Sequence, residues 1–283
     1  MKRRLVQIVV GFFLAFPALA LDPVLPGRLK RIMTPDGALP DAFTAQPHFS
    51  KDGRYLAFSS KARNLLPGIP STVSDAQLYR QWYLLDRQTN VLERISVNNL
   101  GEPHAGPNPN NSNVLGTSGL DISPDGRYVV FVSPATNLDG IPPVGNSLFL
   151  RDRLSSTTRR ISPINMPAFG PQFSADSTSV KFFCEDSIVC TYQFNSGVVT
   201  STALPQGYMT GGKFSRSGRF VPCFRSASPD FPGNVFLARC ELDRQVALIV
   251  GRTLSFSAAI SADGSVMVFS RTGFGDSADP LYP

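Results

Sequence analysis

Few residues in this chain are of a type that does acid–base, nucleophilic or metal chemistry. His48 and His104 are its only histidines, and histidine is the usual general base near neutral pH. A catalytic histidine is oriented by a carboxylate and sits beside a nucleophile; His48 has no such carboxylate near it in sequence. The G-x-S-x-G nucleophile pattern is absent, since Gly116-Thr-Ser-Gly119 lacks the last spacing. H-E-x-x-H, a phosphate-binding P-loop, a Rossmann glycine pattern and a D-x-D-x-D-G calcium loop are absent too. The sequence therefore predicts no cofactor and no metal. Cys184, Cys190, Cys223 and Cys240 are an even set without C-x-x-C spacing and with no histidine beside them, which favours disulfides over a metal site.

Asp52, Asp125, Asp176 and Asp263 look like a carboxylate set until their surroundings are compared. Each occupies the same place in a repeated stretch, most complete as Ser123-Pro-Asp-Gly-Arg-Tyr-Val-Val-Phe-Val-Ser133. Pro124 presets φ for a turn, Asp125 bonds the nearby backbone, and Gly126 accepts positive φ. Tyr128 to Val132 is aromatic and β-branched, which suits a strand. The unit is a β-hairpin, and it recurs at Phe49–Phe58, Phe173–Ser177, Phe214–Gly218 and Ile260–Gly264. The turn role accounts for the aspartates, and it extends to Asp86, Asp152 and Asp243 in outer turns.

The turn serines Ser50, Ser123, Ser174, Ser215 and Ser261 are separated by 73, 51, 41 and 46 residues. A second hairpin follows the first two, and Asp86 matches Asp152 at the offset, 66, that also relates Ile95 to Ile161. The repeat thus has four strands. A period near 40 to 50 residues with four short strands each is the signature of a β-propeller. No helix-period segment of useful length interrupts it, so the class is all-β with about five four-stranded blades. The fifth repeat supplies only its first hairpin. Gly27–Met33, whose Leu-Lys-Arg-Ile resembles the outer strand Leu92–Ile95, is expected to complete the last blade in part, with residues 279–283 as a third strand or none. The cysteines fall on the second and third strands of single repeats. Antiparallel neighbours bring Cβ atoms within disulfide reach, giving Cys184–Cys190 and Cys223–Cys240.

One innermost-strand position varies among otherwise uniform neighbours. It holds His48, Asp121, Gln172, Lys213 and Ala259, each preceding an apolar residue: Phe49, Ile122, Phe173, Phe214 and Ile260. The apolar residues are expected to pack between blades. The four polar ones would ring the central channel, as a ligand-binding set or as unconnected solvated positions. The longest irregular segments between strands are Lys61–Arg80 and Val97–Gly119, the latter polar enough for a surface loop and carrying His104.

Residues 1–20 read as a signal peptide and 21–283 as the propeller domain. Lys2, Arg3 and Arg4 precede a 12-residue apolar run, Leu5 to Phe16, which is too short to span a bilayer comfortably, and Ala18-Leu19-Ala20 is a small-x-small cleavage site. No membrane span is expected after cleavage. The full chain has 27 basic and 21 acidic residues, net +6; the first twenty hold three basic and no acidic ones, leaving net +3. No basic run thereafter exceeds two residues, as at Arg159-Arg160, which argues against a nucleic-acid partner.

The pattern F-S-x-D-G-R-Y-x-A-F-x-S, then S-x-A-x-N-L (Ser60–Leu65, Ser133–Leu138), then R-D-R and T-T-R-R-I-S resembles the TolB-type, WD40-like β-propeller repeat of bacterial cell-envelope proteins. The resemblance covers nearly all of residues 21–283. It implies a propeller with a protein-binding role in the envelope, periplasmic or secreted. The expected function is non-catalytic binding of a protein or other envelope component by a monomer, through the long loops on one propeller face. The alternatives are a hydrolase or lyase acting on a glycan or peptide in the channel, and a fragment whose partner domain is separate. The exported protein is expected to begin at Leu21. N-terminal sequencing of the secreted or periplasmic fraction checks this, and a chain still beginning at Met1 refutes it.

Overall fold

A computed structural model describes residues 32–69, 80–105, 119–142, 145–226, 235–253 and 258–269. The described residues form antiparallel sheets in chain order. The first blade is β1 (Thr44–Phe49), β2 (Tyr55–Ser60), β3 (Gln81–Asp86) and β4 (Val91–Arg94), hydrogen-bonded in that order. The second is β5 (Leu120–Ile122), β6 (Tyr128–Ser133), β7 (Ser147–Asp152) and β8 (Thr157–Arg160). The third is β9 (Phe169–Phe173), β10 (Ser179–Glu185), β11 (Ile188–Gln193) and β12 (Val199–Ala203). The fourth is β13 (Met209–Thr210), β14 (Phe220–Ser226), β15 (Val235–Glu241) and β16 (Val246–Thr253). β17 (Ala258–Ile260) and β18 (Met267–Phe269) pair as the fifth hairpin. Among the described residues no helix is long and apolar enough to cross a membrane. The expected strand at Gly27–Met33 and its partner at 279–283 lie outside the described residues, apart from Ile32 and Met33, which belong to no strand.

The middle strands explain why the sheets stack. In β6, Val129 and Phe131 face the first blade and join Tyr55, Trp82 and Leu84 in one core. Val130 and Val132 point the other way, into a core with Val180, Phe182 and Tyr192 of the third blade. Both faces are covered, so the strand reads as an unbroken apolar run rather than an alternation. Phe183, Val221 and Ala238 repeat the arrangement between the third and fourth blades.

The inner turn works as expected. The Ser50 hydroxyl donates to Asp52 Oδ1 at 2.6 Å while accepting from Tyr55 N at 2.9 Å, and Asp52 Oδ1 accepts from Arg54 N at 3.0 Å. The same Ser–Asp bond recurs at Ser123–Asp125, Ser174–Asp176 and Ser261–Asp263, at 2.5, 2.6 and 2.6 Å. In the fourth blade Ser215 and Ser217 hydroxyls replace it at 2.9 Å. An ion pair then ties inner turn to outer turn: Arg54 to Asp86 at 2.6 Å and Arg127 to Asp152 at 2.7 Å. In the fourth blade the partner of Arg219 is Glu241, with the expected Asp243 at 3.7 Å and well exposed.

The S-x-A-x-N-L motif pins loops. Asn64 donates to Leu39 O at 2.8 Å and accepts from Asp41 N at 3.0 Å. Asn137 does the same for Pro103 O and Ala105 N, at 2.9 and 2.7 Å. Ser60 and Ser133 accept from Ala62 N and Ala135 N, at 3.0 and 3.1 Å.

Cys184 lies at disulfide distance from Cys190, with Cα atoms 5.8 Å apart, and Cys223 from Cys240, at 5.9 Å. In each case the directly opposed residue is another: Phe182 faces Cys190, and Ala238 faces Cys223. Both links are therefore diagonals across one strand pair.

Three expectations need correction. The fourth inner strand is at Met209–Thr210, so Lys213, expected on an innermost strand, lies beyond it. Gly212 instead makes a parallel bridge to Ala258, and a Cβ there would lie 2.3 Å from Ala258 O, so the chain leaves the ladder to approach the next blade. Ile122, Phe173 and Phe214 are buried as expected, but Phe49 is 58% exposed. The other three face the preceding blade, and no preceding blade is described beside Phe49. The segment after Val97 is not simply surface loop, because His104 is 4% exposed.

The turn glycine also sets how closely blades approach. A Cβ on Gly126, whose φ is +71°, would lie 2.1 Å from the Tyr55 ring of the preceding blade. At Gly53 the backbone is the same, φ +71°, but the nearest atom is Arg87 Nη1 at 3.7 Å. In the third blade Ser177 holds the left-handed conformation with a side chain, φ 60°, and Tyr128 packs on Phe194 at 5.1 Å. G53A is expected to lose about 1 kcal/mol from backbone strain alone. G126A is expected to lose about 2–4 kcal/mol, because overpacking adds to strain. Urea unfolding of the two variants measures the difference, and equal losses would show that the blade contact contributes nothing.

Candidate functional site

The variable inner-strand position follows the ladder. His48 pairs with Ala57, Asp121 with Val130, Gln172 with Lys181 and Ala259 with Val268, the equivalent place in each hairpin. Asp121, Gln172 and Lys213 line one cleft of about 230 Å³, together with Phe49, Lys51, Ile122, Pro124, Phe173 and Arg216. Four blades contribute, so the strands converge on a common channel mouth. His48 does not line the cleft, and Ala259 offers no polar group.

Two of the ring residues also hold neighbouring blades. Asp121 Oδ2 accepts from Phe173 N at 2.8 Å, and Gln172 Nε2 donates to Ser215 O at 3.2 Å. Burial pushes the Asp121 carboxyl up to about 6, although the Phe173 N–H, the Ile122 backbone and the Lys213 charge favour its ionised form. His48 is lowered to about 4, by burial first and the Lys213 charge second. It is a neutral imidazole at physiological pH. The turn carboxylates are set apart from this chemistry. Serine hydroxyls hold Asp176 and Asp263 down at about 2, and the Arg54 and Arg127 guanidinium groups do the same for Asp86 and Asp152.

The cleft opens at the end of the blades where the inner turns lie, as Lys51, Pro124, Ser174 and Arg216 show. Antiparallel order places the β2–β3 connection and the inter-blade connection at the opposite end. The described parts of the long segments, residues 61–69 and 97–105, therefore belong to the other face from the ring. Where described, those segments are tied to the scaffold. Arg94 donates to Leu66 O and Pro67 O at 2.8 and 2.9 Å. His104 Nε2–H donates to Arg80 O at 2.9 Å, since a carbonyl can only accept, and Nδ1 accepts from the Ser133 hydroxyl at 2.8 Å. Ser60 makes the matching bond to Phe43 O at 3.1 Å. His104 thus replaces a backbone carbonyl of the first blade. Its isolation in a polar stretch gave no sign of this.

Among the described residues no group of three or more His, Cys, Asp or Glu is placed to hold a metal ion. No protein-family profile matches the sequence, and no curated protein is similar to it. Solved structures are. TolB from Acinetobacter baumannii matches 82% of this chain at 18% identity with a TM-score of 0.52. The chain folds as a TolB-like β-propeller. A protein described as a TolB from Agrobacterium tumefaciens matches 74% at 18% identity with a TM-score of 0.47. The β-propeller domain of the trilobed protease from Pyrococcus furiosus matches 75% at 12% identity with a TM-score of 0.48. The propeller spans about half of the Acinetobacter protein, 49%, and 62% and 58% of the other two.

The buried imidazole makes stability pH-dependent. His104 is lowered to about 4 by burial, whereas an unfolded histidine titrates near ~6.5. The unfolded chain binds the extra proton between these values, so stability falls as pH drops from about 6.5 toward 4, by roughly 3 kcal/mol in full. Asp121 has the opposite sign, because its folded pKa lies above the ordinary carboxylate value and protonation favours the folded state. In H104Q the loss of stability between pH 7 and 4.5 is expected to shrink, and in D121N to grow. Urea midpoints across that range test both; an unchanged slope in H104Q removes His104 as the cause.

Proposed function

We propose that this protein is an exported, non-catalytic propeller that binds a protein or other envelope component at the channel mouth on its inner-turn face. The observation that carries the reading is the cleft built by four successive blades. Asp121 is the only carboxylate among its lining residues, and it is hydrogen-bonded to the neighbouring strand. Hydrolysis of a glycan would call for two carboxyl groups about 5–10 Å apart. The binding face differs from the long loops favoured by sequence reasoning, because the described parts of those loops, residues 61–69 and 97–105, lie at the other end of the blades. The likeness to TolB supports the fold of such a scaffold, and the cysteine pairs and the leader pattern support a periplasmic or secreted location.

Photo-crosslinkers at Ala175, on the inner-turn face, and at Lys61, on the long-loop face, test the reading in envelope extract. A saturable adduct from position 175 is expected. An adduct from position 61 alone would move the binding face, and turnover of a glycan or peptide by the purified protein would replace binding with catalysis.

A further inference from the structure

Lys51, Lys213 and Arg216 reach the cleft from the first and fourth blades. None has a hydrogen-bond or ion-pair partner among the described residues. Five arginines outside the cleft, Arg54, Arg127, Arg153, Arg160 and Arg219, each pair with a carboxylate. Three cations without ion-pair partners, converging on one recess that holds a single carboxylate, make a local positive field. Phe49, Ile122 and Phe173 supply apolar lining beside the polar Asp121, Gln172 and Ser174. The volume of about 230 Å³ is small. Sites that enclose a whole small molecule run roughly 300–1,000 Å³, so this one suits a few side chains of a segment that continues outside.

We propose that the cleft binds an acidic peptide segment, its carboxylates on Lys51, Lys213 and Arg216 and an apolar side chain between Phe49 and Phe173. This rests on the binding role proposed above and assigns the chemistry of the partner. Carboxylates supply the counter-charge that the cleft lacks, and an extended segment can thread between the inner turns without the cleft having to enclose it. Asp121 tunes the field. It lines the cleft with Gln172, Lys51, Lys213 and Arg216, and the Lys213 charge acts both on it and on the neutral His48. As pH falls through about 6 it loses its charge, and the cleft becomes more positive while the ligand carboxylates, near ~4.3, stay ionised.

Calorimetric titration of residues 21–283 with a capped hexapeptide of alternating glutamate and phenylalanine tests the proposal, with its glutamine counterpart and inorganic phosphate as the other arms. The glutamate peptide is expected to bind, the glutamine peptide to bind at least tenfold more weakly, and high salt to weaken the former. The triple variant K51A/K213A/R216A keeps a melting curve close to wild type, since its exposed side chains make no hydrogen bond or ion pair among the described residues, and loses about tenfold or more in affinity. Binding tightens about two- to threefold from pH 7.5 to 5.5, and D121N, which keeps an acceptor for Phe173 N, abolishes that dependence. Equal affinity for the two peptides, or an unaffected triple variant, overturns the proposal. Phosphate bound as tightly as the peptide overturns it too, by assigning the cations to a free anion. A partner captured at position 175 whose affinity ignores the triple variant removes the acidic-peptide chemistry and leaves the binding role standing. Glutamate-selective binding with no partner captured does the reverse.

Discussion

A four-stranded sheet with two apolar faces cannot stand alone in water, and here the second, third and fourth sheets are each packed on both sides by their neighbours in the chain. Phe131 and Val130 are consecutive residues of one strand, yet both are fully buried, one against the first blade and the other against the third. Removing either cover would expose a face of large side chains at about 25 cal/mol for every Å². Stability is thus a property of adjacency, as in other repeat architectures where each unit buries its surface on the next. Spacing between blades follows from the same need. Tyr55 lies against Gly126 at a distance that no Cβ would allow, so one residue sets both the turn and the approach of two sheets.

The polar groups serve that stacking before they serve anything else. Serine and aspartate close the inner turn, arginine carries that turn to the outer one, and asparagine of the S-x-A-x-N-L motif fixes the incoming loop. At the channel, Asp121 and Gln172 each reach the backbone of the following blade. Their side chains are partly committed to the ring itself. What is left over for a ligand is cationic, because Lys51, Lys213 and Arg216 were given no carboxylate of their own. The acid–base character of the cleft is correspondingly thin: a carboxyl raised by burial and an imidazole held neutral by burial and a nearby lysine.

The repeat was legible in the sequence because its determinants are local. Ser123-Pro-Asp-Gly126 contains its own turn, and Tyr128 to Val132 its own strand propensity, so period, strand count and the cysteine-bearing strand pairs could be read without neighbours. The aspartates of the inner turns could be set aside for the same reason, since each bonds the serine two residues before it. Equivalence of His48, Asp121, Gln172 and Ala259 was also local, being a matter of counting back from each turn. What those positions do was not local. Asp121 bonds Phe173, 52 residues away, and the burial that raises its pKa is contributed by other blades. His104 looked like a loop residue because its partners, Arg80 just before β3 and Ser133 at the end of β6, are 24 and 29 residues distant. The break at Gly212 arises from contact with Ala258 of the next blade, which no feature of residues 211–214 announces. The choice of face turned on which end of antiparallel strands each connection occupies, and sequence reasoning weighed loop length instead. Short-range hydrogen bonding and strand propensity therefore let the sequence alone settle the blades, while their packing around one channel decided which polar groups are buried, which are shared and which remain open to a ligand.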